Sequence, residues 1–198
     1  MTDVAIVANG GANIASLRFA LDRLGASSHL TADPAELRRA SRVILPGVGA
    51  AGDAMGRLQA LGLVDVIPTL TQPVLGICLG MQLLFEGSEE DATSCLGLIP
   101  ARVTRLPLRE NFPVPHMGWN ELNVASQCAL TQGFAPGDYV YFVHSFAAPT
   151  GPWTLATTDY GGTFSALVQQ RNFFGAQFHP ERSSRAGARL LANFMGLA

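Results

Sequence analysis

The sequence predicts an α/β fold in which a mostly parallel central sheet is flanked by helices. Two observations carry this prediction. Short strands that are apolar throughout alternate with helical stretches from residue 4 to residue 85, which is the pattern of a parallel sheet covered on both faces. Further along the chain several strands follow one another without intervening helices, and we interpret them as an added antiparallel portion.

The first part of the chain alternates between strand and helix. Strands are predicted at residues 4–8, 43–45 and 74–77, and helices at residues 14–24 and 51–61. Ile14, Leu17 and Leu21 recur at helical spacing, so they form the apolar stripe of the first helix. Asp33 followed by Pro34 predicts the start of another helix, with Asp33 as its N-cap and Pro34 in the first helical position.

The second part of the chain is dominated by strands. They are predicted at residues 103–106, 139–143, 155–158, 166–169 and 174–178, and a final helix at residues 185–195. The sequence contains no repeat, low-complexity segment or linker. A chain of 198 residues is long enough for one sizeable core and short for two. We therefore expect a single domain over residues 1–198.

Composition and charge exclude several classes of protein. The net charge is −2 and the basic residues are scattered, whereas a nucleic-acid binding protein usually carries a basic patch. No apolar run is long enough to span a bilayer, and the N-terminus lacks the basic start of a secretory signal. We therefore expect a cytoplasmic protein that binds neither nucleic acid nor membrane.

The cysteines and histidines do not have the spacing of a metal site. Cys78, Cys95 and Cys128 are odd in number and form no CxxC pair, and the four histidines have no partner at ligand spacing. The chain also lacks a glycine-rich nucleotide loop of the GxxxxGK[ST] type. We therefore expect no disulfide framework, no metal and no cofactor.

Cys78 lies in a turn that is typical of a catalytic nucleophile. Gly76 and Gly80 flank it in the pattern GxCxG, between the strand at 74–77 and a helical pattern at 79–85. This is the thiol counterpart of the GxSxG elbow, in which glycines allow a tight turn. The helix start favours the thiolate, and the backbone N–H of Leu79 is free to stabilise an oxyanion. The alternative is a buried structural cysteine.

His179 and Glu181 follow the predicted strand at 174–178 and suit the roles of base and orienting carboxylate. A cysteine nucleophile needs a base nearby, and a carboxylate two residues beyond the histidine can hold the imidazole in the required tautomer. Pro180 fixes the backbone between the two side chains. Taken alone, the segment equally fits a loop histidine beside a solvated glutamate. Together with the elbow at Cys78, it predicts a Cys-His-Glu triad.

Three motifs together resemble those of the class I, triad-type glutamine amidotransferases. They are PGVG at residues 46–49, GICLGMQ at 76–82 and QFHPE at 177–181, and their order and spacing match the family over nearly the whole chain. Two further segments, PHMGWN at 115–120 and YFVHSF at 141–146, look like signatures of one subfamily. These are the glutaminase subunits of imidazole glycerol phosphate synthase, from histidine biosynthesis. The resemblance implies a flavodoxin-like sheet.

The resemblance also implies a role for each residue of the motifs. The triad is Cys78 as nucleophile, His179 as base and Glu181 as orienting group. The expected oxyanion hole is made by Val48, Gly49 and Leu79, and the expected glutamine-binding residues are Gly47, Gln82, His144 and Ser145. The residues expected at the partner interface and ammonia exit are Trp119, Asn120, Tyr141 and Arg182. Alternatives remain open for three of them: a core position for Trp119, plain sheet packing for Tyr141 and an exposed helix position for Gln82.

The resemblance further implies that the chain works with a separate protein. That partner is a (β/α)₈ cyclase in a heterodimer, and it combines ammonia from L-glutamine with PRFAR to give imidazole glycerol phosphate and AICAR. The motifs use up the chain and leave no second domain that would consume the ammonia. One departure is the loop at residues 8–13, where many members begin with Asp-x-Gly and this chain reads ANGGAN, although Asn13 at the expected helix cap is retained.

Three other functions compete with this interpretation. The nearest is the same glutaminase chemistry with another acceptor, as in anthranilate or aminodeoxychorismate synthase, and the segment PHMGWN argues against it. The second is a cysteine hydrolase of peptidase or deglycase type on a related fold. The third is a binding module without activity, which the intact set of Cys78, His179 and Glu181 disfavours.

Overall fold

The computed structural model describes residues 3–10 and 14–197. Within them the chain forms thirteen strands and five α-helices. The strands are β1 (Asp3–Val7), β2 (Ser27–Thr31), β3 (Arg42–Gly47), β4 (Val74–Cys78), β5 (Phe85–Ser88), β6 (Ile99–Arg105), β7 (His116–Glu121), β8 (Asn123–Val124), β9 (Tyr139–His144), β10 (Phe146–Ala147), β11 (Thr154–Asp159), β12 (Thr163–Gln170) and β13 (Phe173–Ala176). The helices are α1 (Ile14–Asp22), α2 (Pro34–Arg39), α3 (Ala51–Ala60), α4 (Leu79–Gln82) and α5 (Ser184–Met195). Short 3-10 turns lie at Ile67–Thr69, Glu90–Ala92 and Pro180–Arg182.

Eight strands form the main sheet, in the order β2-β1-β3-β4-β13-β12-β11-β8. The strands from β2 to β13 are parallel to one another, and β12, β11 and β8 extend the sheet through antiparallel pairings. The first five strands follow the flavodoxin-like order, with the fifth supplied from near the end of the chain. The predicted α/β class, a mostly parallel sheet with an antiparallel portion, is confirmed.

The position of β13 corrects one detail of the prediction. We expected residues 174–178 to join the antiparallel portion, but Phe173–Ala176 pairs in parallel with β4 and antiparallel with β12. The strand therefore lies at the junction between the two parts of the sheet. Its apolar sequence is compatible with either pairing, because a strand that is buried on both faces has no alternating pattern to mark its neighbours.

Helices cover both faces of the parallel strands, as β1 illustrates. Val4 and Ile6 belong to the core beneath α1 and α5, whereas Ala5 and Val7 belong to the core beneath α2 and α3. All four side chains are fully buried. Because successive side chains of a strand point to opposite faces, a strand between two helical layers must be apolar throughout. Each fully buried valine or isoleucine contributes about 1.5–3 kcal/mol to the stability of this three-layer arrangement.

The remaining strands form two smaller sheets. β5 and β6 pair in parallel, β10 joins β6 in antiparallel orientation, and β7 pairs with β9. The predicted strand at 139–143 is therefore β9, and it lies outside the main sheet. β5 and β7 were not predicted, because glycines and polar residues interrupt their apolar pattern.

The helix starts follow the local signals where the structure describes them. The backbone N–H of Ala35 donates a 2.7 Å hydrogen bond to Oδ1 of Asp33, and Pro34 is the first residue of α2, which confirms the predicted N-cap. Asn13, which we expected at the start of α1, lies outside the described residues. Among the helices within the described ranges, none has the length and apolar composition needed to cross a membrane.

Candidate functional site

Neighbouring parallel strands bring the three motifs to one edge of the main sheet. Gly47 at the end of β3 is paired with Cys78 at the end of β4. On the other side of β4, Ile77 is paired with Ala176, the last residue of β13, and His179 follows three residues later. Parallel strands end at the same edge, which is where α/β sheets bind their ligands. The topology therefore explains how three distant segments of chain converge.

The turn at Cys78 depends on backbone contacts that only glycine allows. Cys78 has a φ of 54° and a ψ of −113°, and such a conformation costs an L-residue about 1–3 kcal/mol. A Cβ at Gly80 would lie 1.8 Å from the carbonyl oxygen of Leu45, and one at Gly76 would lie 2.5 Å from the carbonyl oxygen of Gly80. The two glycines of the GxCxG pattern therefore let the turn press directly against β3 and hold the strained residue in place.

The helix after this turn is shorter than predicted. We expected a helix at residues 79–85, but α4 spans Leu79–Gln82 and the chain passes into β5 at Phe85. The apolar residues of this segment fit a buried helix or a buried strand equally well, so periodicity could not fix the boundary. A single helical turn has few aligned peptide dipoles, so the turn geometry matters more here than a helix dipole.

His179 and Glu181 form a buried hydrogen-bonded pair. Nδ1 of His179 donates to Oε1 of Glu181 at 2.9 Å, and the two side chains are only 10% and 6% exposed. This hydrogen bond fixes the tautomer of His179 and leaves Nε2 as the ring nitrogen that can take part in the reaction. Nε2 is buried and has no partner of strict hydrogen-bond geometry among the described residues. Even so, the side chain of Cys78 interacts with the ring strongly enough to affect its pKa.

The pKa of His179 is raised to about 10. Burial by itself lowers the pKa of this imidazole, but hydrogen bonding and charge at Cys78 and Glu181 outweigh burial. The ring therefore carries a proton at neutral pH. A protonated imidazole beside a cysteine is suited to pair with a thiolate and to protonate a leaving group.

Ser183 anchors the turn that carries His179, and sequence reasoning did not identify it. Its hydroxyl donates to the carbonyl oxygen of His179 at 2.7 Å and accepts from the backbone N–H of Tyr141 at 2.9 Å. The N–H of His179 in turn donates to the carbonyl oxygen of Tyr141 at 3.0 Å. These bonds fasten the turn to β9, whose Val143 carbonyl oxygen lies 3.8 Å from the sulfur of Cys78. A lone serine after a 3-10 turn has no sequence signal that would reveal this role.

An open cavity of about 290 Å³ lies beside the sulfur of Cys78. Two members of the expected triad, Cys78 and His179, line it. It also brings together most of the residues expected to bind glutamine or stabilise an oxyanion, namely Val48, Gly49, Leu79, Gln82, His144 and Ser145. Its other lining residues, which were not predicted, are Glu90, Pro115, Val143 and Phe146. Gly47 and Glu181 line instead a second cavity of about 20 Å³ behind the turn. The larger cavity, beside Cys78, can hold a small substrate and has polar groups on several sides.

Glu90 contributes a carboxylate to this cavity. Its Oε2 accepts a 2.8 Å hydrogen bond from the N–H of Ala51, which links the 3-10 turn at Glu90–Ala92 to the start of α3. Burial raises the pKa of Glu90, the bond from Ala51 opposes that rise, and the charges of Asp91 and Asp53 add to it. In the sequence the run Glu89-Glu90-Asp91 resembles a solvated acidic turn, so nothing distinguished this residue.

Gln82 is buried, which excludes the exposed helix position considered from the sequence. Its Nε2 donates to the carbonyl oxygen of Phe146 at 2.8 Å and to Oε1 of Gln177 at 3.0 Å. Gln177 is fully buried and directs its own Nε2 to the sulfur of Cys78 at 3.9 Å. Gln177 belongs to the QFHPE motif, but the sequence gave no reason to assign it a contact with the nucleophile.

The residues expected at the partner interface lie together on β7, β9 and the adjacent turn, outside the cavity lining. Trp119 is 53% exposed, so it is not a core aromatic, and its ring meets the ring of Tyr141 edge to face at 6.0 Å. The guanidinium of Arg182 lies 4.3 Å from the centre of the Tyr141 ring. Asn120 is turned inward and donates to the carbonyl oxygen of Asp159 at 3.0 Å. Trp119, Tyr141 and Arg182 thus form an aromatic and cationic surface beside the cavity.

The chain matches one family of known proteins over nearly its whole length. The model of the family "Glutamine amidotransferase class-I" matches residues 6–197. The "Imidazole glycerol phosphate synthase subunit HisH" of Xanthomonas axonopodis pv. citri is 52% identical over 198 residues, which cover 100% of this chain and 99% of that protein. The "Imidazole glycerol phosphate synthase subunit HisH 2" of Legionella pneumophila is 52% identical over 194 residues, 98% of each chain.

A solved structure shares the fold at much lower sequence identity. PurLQS from Thermotoga maritima has a TM-score of 0.73 at 20% identity, over 98% of this chain and 97% of that chain. The fold is therefore the one that the resemblance implied. Because the family model spans residues 6–197 and whole-chain relatives are 52% identical, the chain belongs to the class I glutamine amidotransferase family.

Proposed function

We propose that the chain is the glutaminase subunit of an imidazole glycerol phosphate synthase in histidine biosynthesis. It hydrolyses L-glutamine to glutamate and ammonia and passes the ammonia to a cyclase subunit. The observation that carries the proposal is the convergence of Cys78, His179 and Glu181 beside a cavity, in a chain about half identical to HisH proteins over its full length. We further propose that residues 1–198 act as a single domain and that the reaction takes place in the cytoplasm, where the thiol stays reduced.

In the proposed mechanism, the thiolate of Cys78 attacks the side-chain amide carbon of glutamine. The N–H groups of Leu79 and of the Val48–Gly49 loop stabilise the oxyanion. His179, whose pKa is raised by Cys78 and Glu181 against the effect of burial, donates a proton to the departing ammonia. The ring then acts as a base for the water that cleaves the γ-glutamyl thioester, and glutamate leaves.

The cavity supports glutamine as the substrate. Glutamine carries an α-ammonium group, an α-carboxylate and a side-chain amide, so a matching site needs both an acceptor of positive charge and hydrogen-bond donors. Glu90 supplies a carboxylate, and the backbone at His144 and Ser145 supplies polar groups. Gln82 lines the same cavity, and its Nε2 donates to Phe146 and Gln177, so its amide oxygen is the atom left to meet a ligand. Gly47 does not line this cavity but packs against Leu79 and Gly80 in the turn that carries Cys78.

We propose that the partner controls the oxyanion hole. Gly49 has a φ of +91° and the loop at Val48 and Gly49 borders the cavity, so the glycines on either side of Val48 allow its peptide to rotate. Losing one oxyanion donor lowers the rate by about 100- to 1000-fold. An isolated subunit whose Val48–Gly49 N–H points away from the oxyanion would therefore be almost inactive. Partner binding would shift the population toward the loop conformation in which this N–H points at the oxyanion.

The proposed partner is a (β/α)₈ cyclase, which joins the ammonia to PRFAR and yields imidazole glycerol phosphate and AICAR. Ammonia that escapes into water becomes ammonium, which is not nucleophilic, so a sealed path between the two sites is chemically sensible. The exposed surface of Trp119, Tyr141 and Arg182 has the aromatic and arginine composition of interface hot spots. Asn120, at the inner edge of the same strand, would line the exit from the cavity.

Replacement of Cys78 tests the proposed function. In the reconstituted complex, Cys78→Ala should abolish glutamine-dependent synthesis of imidazole glycerol phosphate and leave ammonia-dependent synthesis intact. The control is Cys95→Ala, which changes a cysteine outside the cavity lining and should retain both activities. Loss of both activities in Cys78→Ala, with the complex still assembled, would show that Cys78 has a structural role only.

A further inference from the structure

A chain of buried hydrogen bonds runs from β7 to the sulfur of Cys78. Nδ1 of His144 lies 2.8 Å from the carbonyl oxygen of Phe146. A carbonyl oxygen can only accept, so this nitrogen carries the hydrogen. Nδ1 of His116 lies 3.1 Å from Nε2 of His144. In a neutral imidazole only one nitrogen bears hydrogen, so His144 accepts here and His116 donates.

The remaining hydrogen bonds of this series allow only one arrangement of hydrogens on the two imidazole rings. His116 and His144 are 2% and 6% exposed, and burial lowers their pKa values to about 4 and about 3, so both are neutral at physiological pH. Nε2 of His116 must then accept, and Nδ2 of Asn120 lies 3.4 Å from it. The amide orientation of Asn120 is fixed independently, because its Oδ1 accepts from the N–H of Glu121 at 2.8 Å.

At the other end of this series of hydrogen bonds, the orientation of the Gln177 side-chain amide beside Cys78 is fixed. The carbonyl oxygen of Phe146 accepts from His144 and from Nε2 of Gln82. Gln82 donates its second hydrogen to Oε1 of Gln177, which leaves Nε2 of Gln177 facing Cys78. If the Gln177 amide were reversed, an oxygen would face the sulfur and repel a thiolate. Because the Phe146 carbonyl can only accept, it fixes the direction of Gln82 and, through it, of Gln177, so that a donor meets Cys78.

We propose that His116 and Gln177 are positioning residues, which hold a hydrogen-bond donor against the sulfur of Cys78 through this chain. The inference rests on the proposed role of Cys78 as nucleophile. Neither residue lines the cavity, so neither meets the substrate directly. His116 donates to His144, which donates to the same Phe146 carbonyl that Gln82 uses, and so His116 helps to hold that carbonyl in position. Gln177 contacts the sulfur itself. The chain starts at Asn120, on the strand whose outer face carries Trp119, and so connects the proposed partner surface with the nucleophile.

A packing role for His116 is the alternative that an experiment must separate. The His116 ring stacks on Tyr160 at 3.9 Å and on Phe142 at 4.8 Å between ring centres. His116→Phe keeps a flat ring between these aromatics and removes the donor to His144. His116→Asn removes the ring and retains an amide nitrogen near the position of Nδ1. A positioning role predicts that the Asn variant is closer to the wild type, whereas a packing role predicts the reverse.

The test is the pH dependence of Cys78 alkylation by iodoacetamide in the complex with the cyclase, followed on the Cys78 peptide by mass spectrometry. His116→Phe and Gln177→Glu should each move the midpoint of alkylation to higher pH and lower kcat for glutamine about tenfold, because the donor to the thiolate is displaced in the first variant and lost in the second. His116→Asn should recover most of the loss. The matched control is His29→Phe. His29 lies on β2, is partly exposed and takes no part in this series of hydrogen bonds. Cys78 in this variant should be alkylated as it is in the wild type.

Coupling between the two sites provides a second readout. If one chain connects them, the double variant of His116→Phe and Gln177→Glu should be about as impaired as Gln177→Glu alone. Multiplied effects, or a His116→Phe variant that alkylates like the wild type while His116→Asn does not, would overturn the inference and leave the proposed function standing. Full alkylation of Cys78 in the wild type without loss of glutaminase activity would instead remove the proposed function, and the inference with it.

Discussion

At the scale of single residues, the protonation of His179 is the property that the proposed chemistry uses most directly. Cys78 and Glu181 raise its pKa to about 10 against the ordinary value of 6.5. A group whose pKa is raised on folding stabilises the folded state fully below its unfolded pKa, and that stabilisation is lost as pH rises through the folded pKa. The chain contains no lysine, whose side chain would otherwise titrate near the upper end of this window.

We therefore predict that the free energy of unfolding falls as pH rises from about 6.5 to about 10. Glu181→Gln removes one of the interactions that raise the pKa of His179, so this variant should show a smaller fall. Urea denaturation at several pH values measures both slopes. Equal slopes in the two proteins would mean that the Glu181 carboxylate does not hold the proton on the ring.

Ser183 provides a second prediction at this scale. Ser183→Ala removes a hydroxyl that bonds to the carbonyl of His179 and to the N–H of Tyr141. The N–H of Tyr141 then loses this partner, and the His179 carbonyl keeps only the bond from the N–H of Arg182, so the free energy of unfolding should fall by about 1–3 kcal/mol. The glutaminase kcat of the complex should fall about tenfold because the His179 turn loosens. The exposed Ser126→Ala is the matched control, and an unchanged kcat in Ser183→Ala would contradict the anchoring role.

The sequence predicted residues that carry a local signature and missed those that act through distant contacts. Cys78 is marked by its flanking glycines, and His179 with Glu181 by their spacing. Ser183 and Gln177 have no such mark, since their partners are 42 and 99 residues away along the chain. Only the fold reveals those contacts, so local patterns cannot assign such residues.

At the scale of elements, the turn between β4 and α4 determines where the nucleophile lies. Gly80→Ala would put a methyl group 1.8 Å from the carbonyl oxygen of Leu45, which backbone atoms cannot accommodate without moving. We predict that this variant loses about 2–4 kcal/mol of stability or fails to fold, because the contact is with backbone. Thermal denaturation of the purified protein measures the effect.

A matched substitution separates this steric effect from glycine replacement in general. A Cβ at Gly56, inside α3, meets nothing within 4 Å, and its φ is not positive. Gly56→Ala should therefore raise the stability by about 0.5–1 kcal/mol, because alanine loses less backbone entropy in a helix. Equal losses in the two variants would show that the close approach at Gly80 is not what constrains the elbow.

The elements themselves were predictable to different degrees. The parallel strands and the helix cap at Asp33 were found because apolar runs and capping residues are local features. The parallel pairing of β13 with β4 was not found, because a strand that is buried on both faces reads alike in either orientation. β7, which contains Gly118 and several polar residues, was also missed, although its partner β9 was found.

At the scale of the whole molecule, the exposed surface on β7 and β9 is the feature that a lone subunit does not explain. Met117 and Trp119 are 62% and 53% exposed, and a large apolar surface of this kind usually marks an interaction site. We predict that Trp119→Ala raises the Kd for the cyclase about 10- to 30-fold and leaves the thermal stability of the isolated subunit nearly unchanged.

The control for this prediction is a hydrophobic residue of similar exposure on another face. Leu30 is 50% exposed on β2, at the far edge of the main sheet, so Leu30→Ala should not alter the Kd. Titration calorimetry with the purified cyclase measures both variants. If Leu30→Ala weakens the complex and Trp119→Ala does not, the partner binds elsewhere on the molecule.

The central claim is that Cys78 is the nucleophile that forms the γ-glutamyl thioester. The most direct measurement is the reaction of the complex with an electrophilic glutamine analogue, followed by peptide mass spectrometry and glutaminase assay on the same samples. The account predicts one adduct, on the peptide that contains Cys78, and loss of activity in proportion to it. An adduct on Cys95 or Cys128 that accompanies inactivation, or full activity with Cys78 modified, would contradict it.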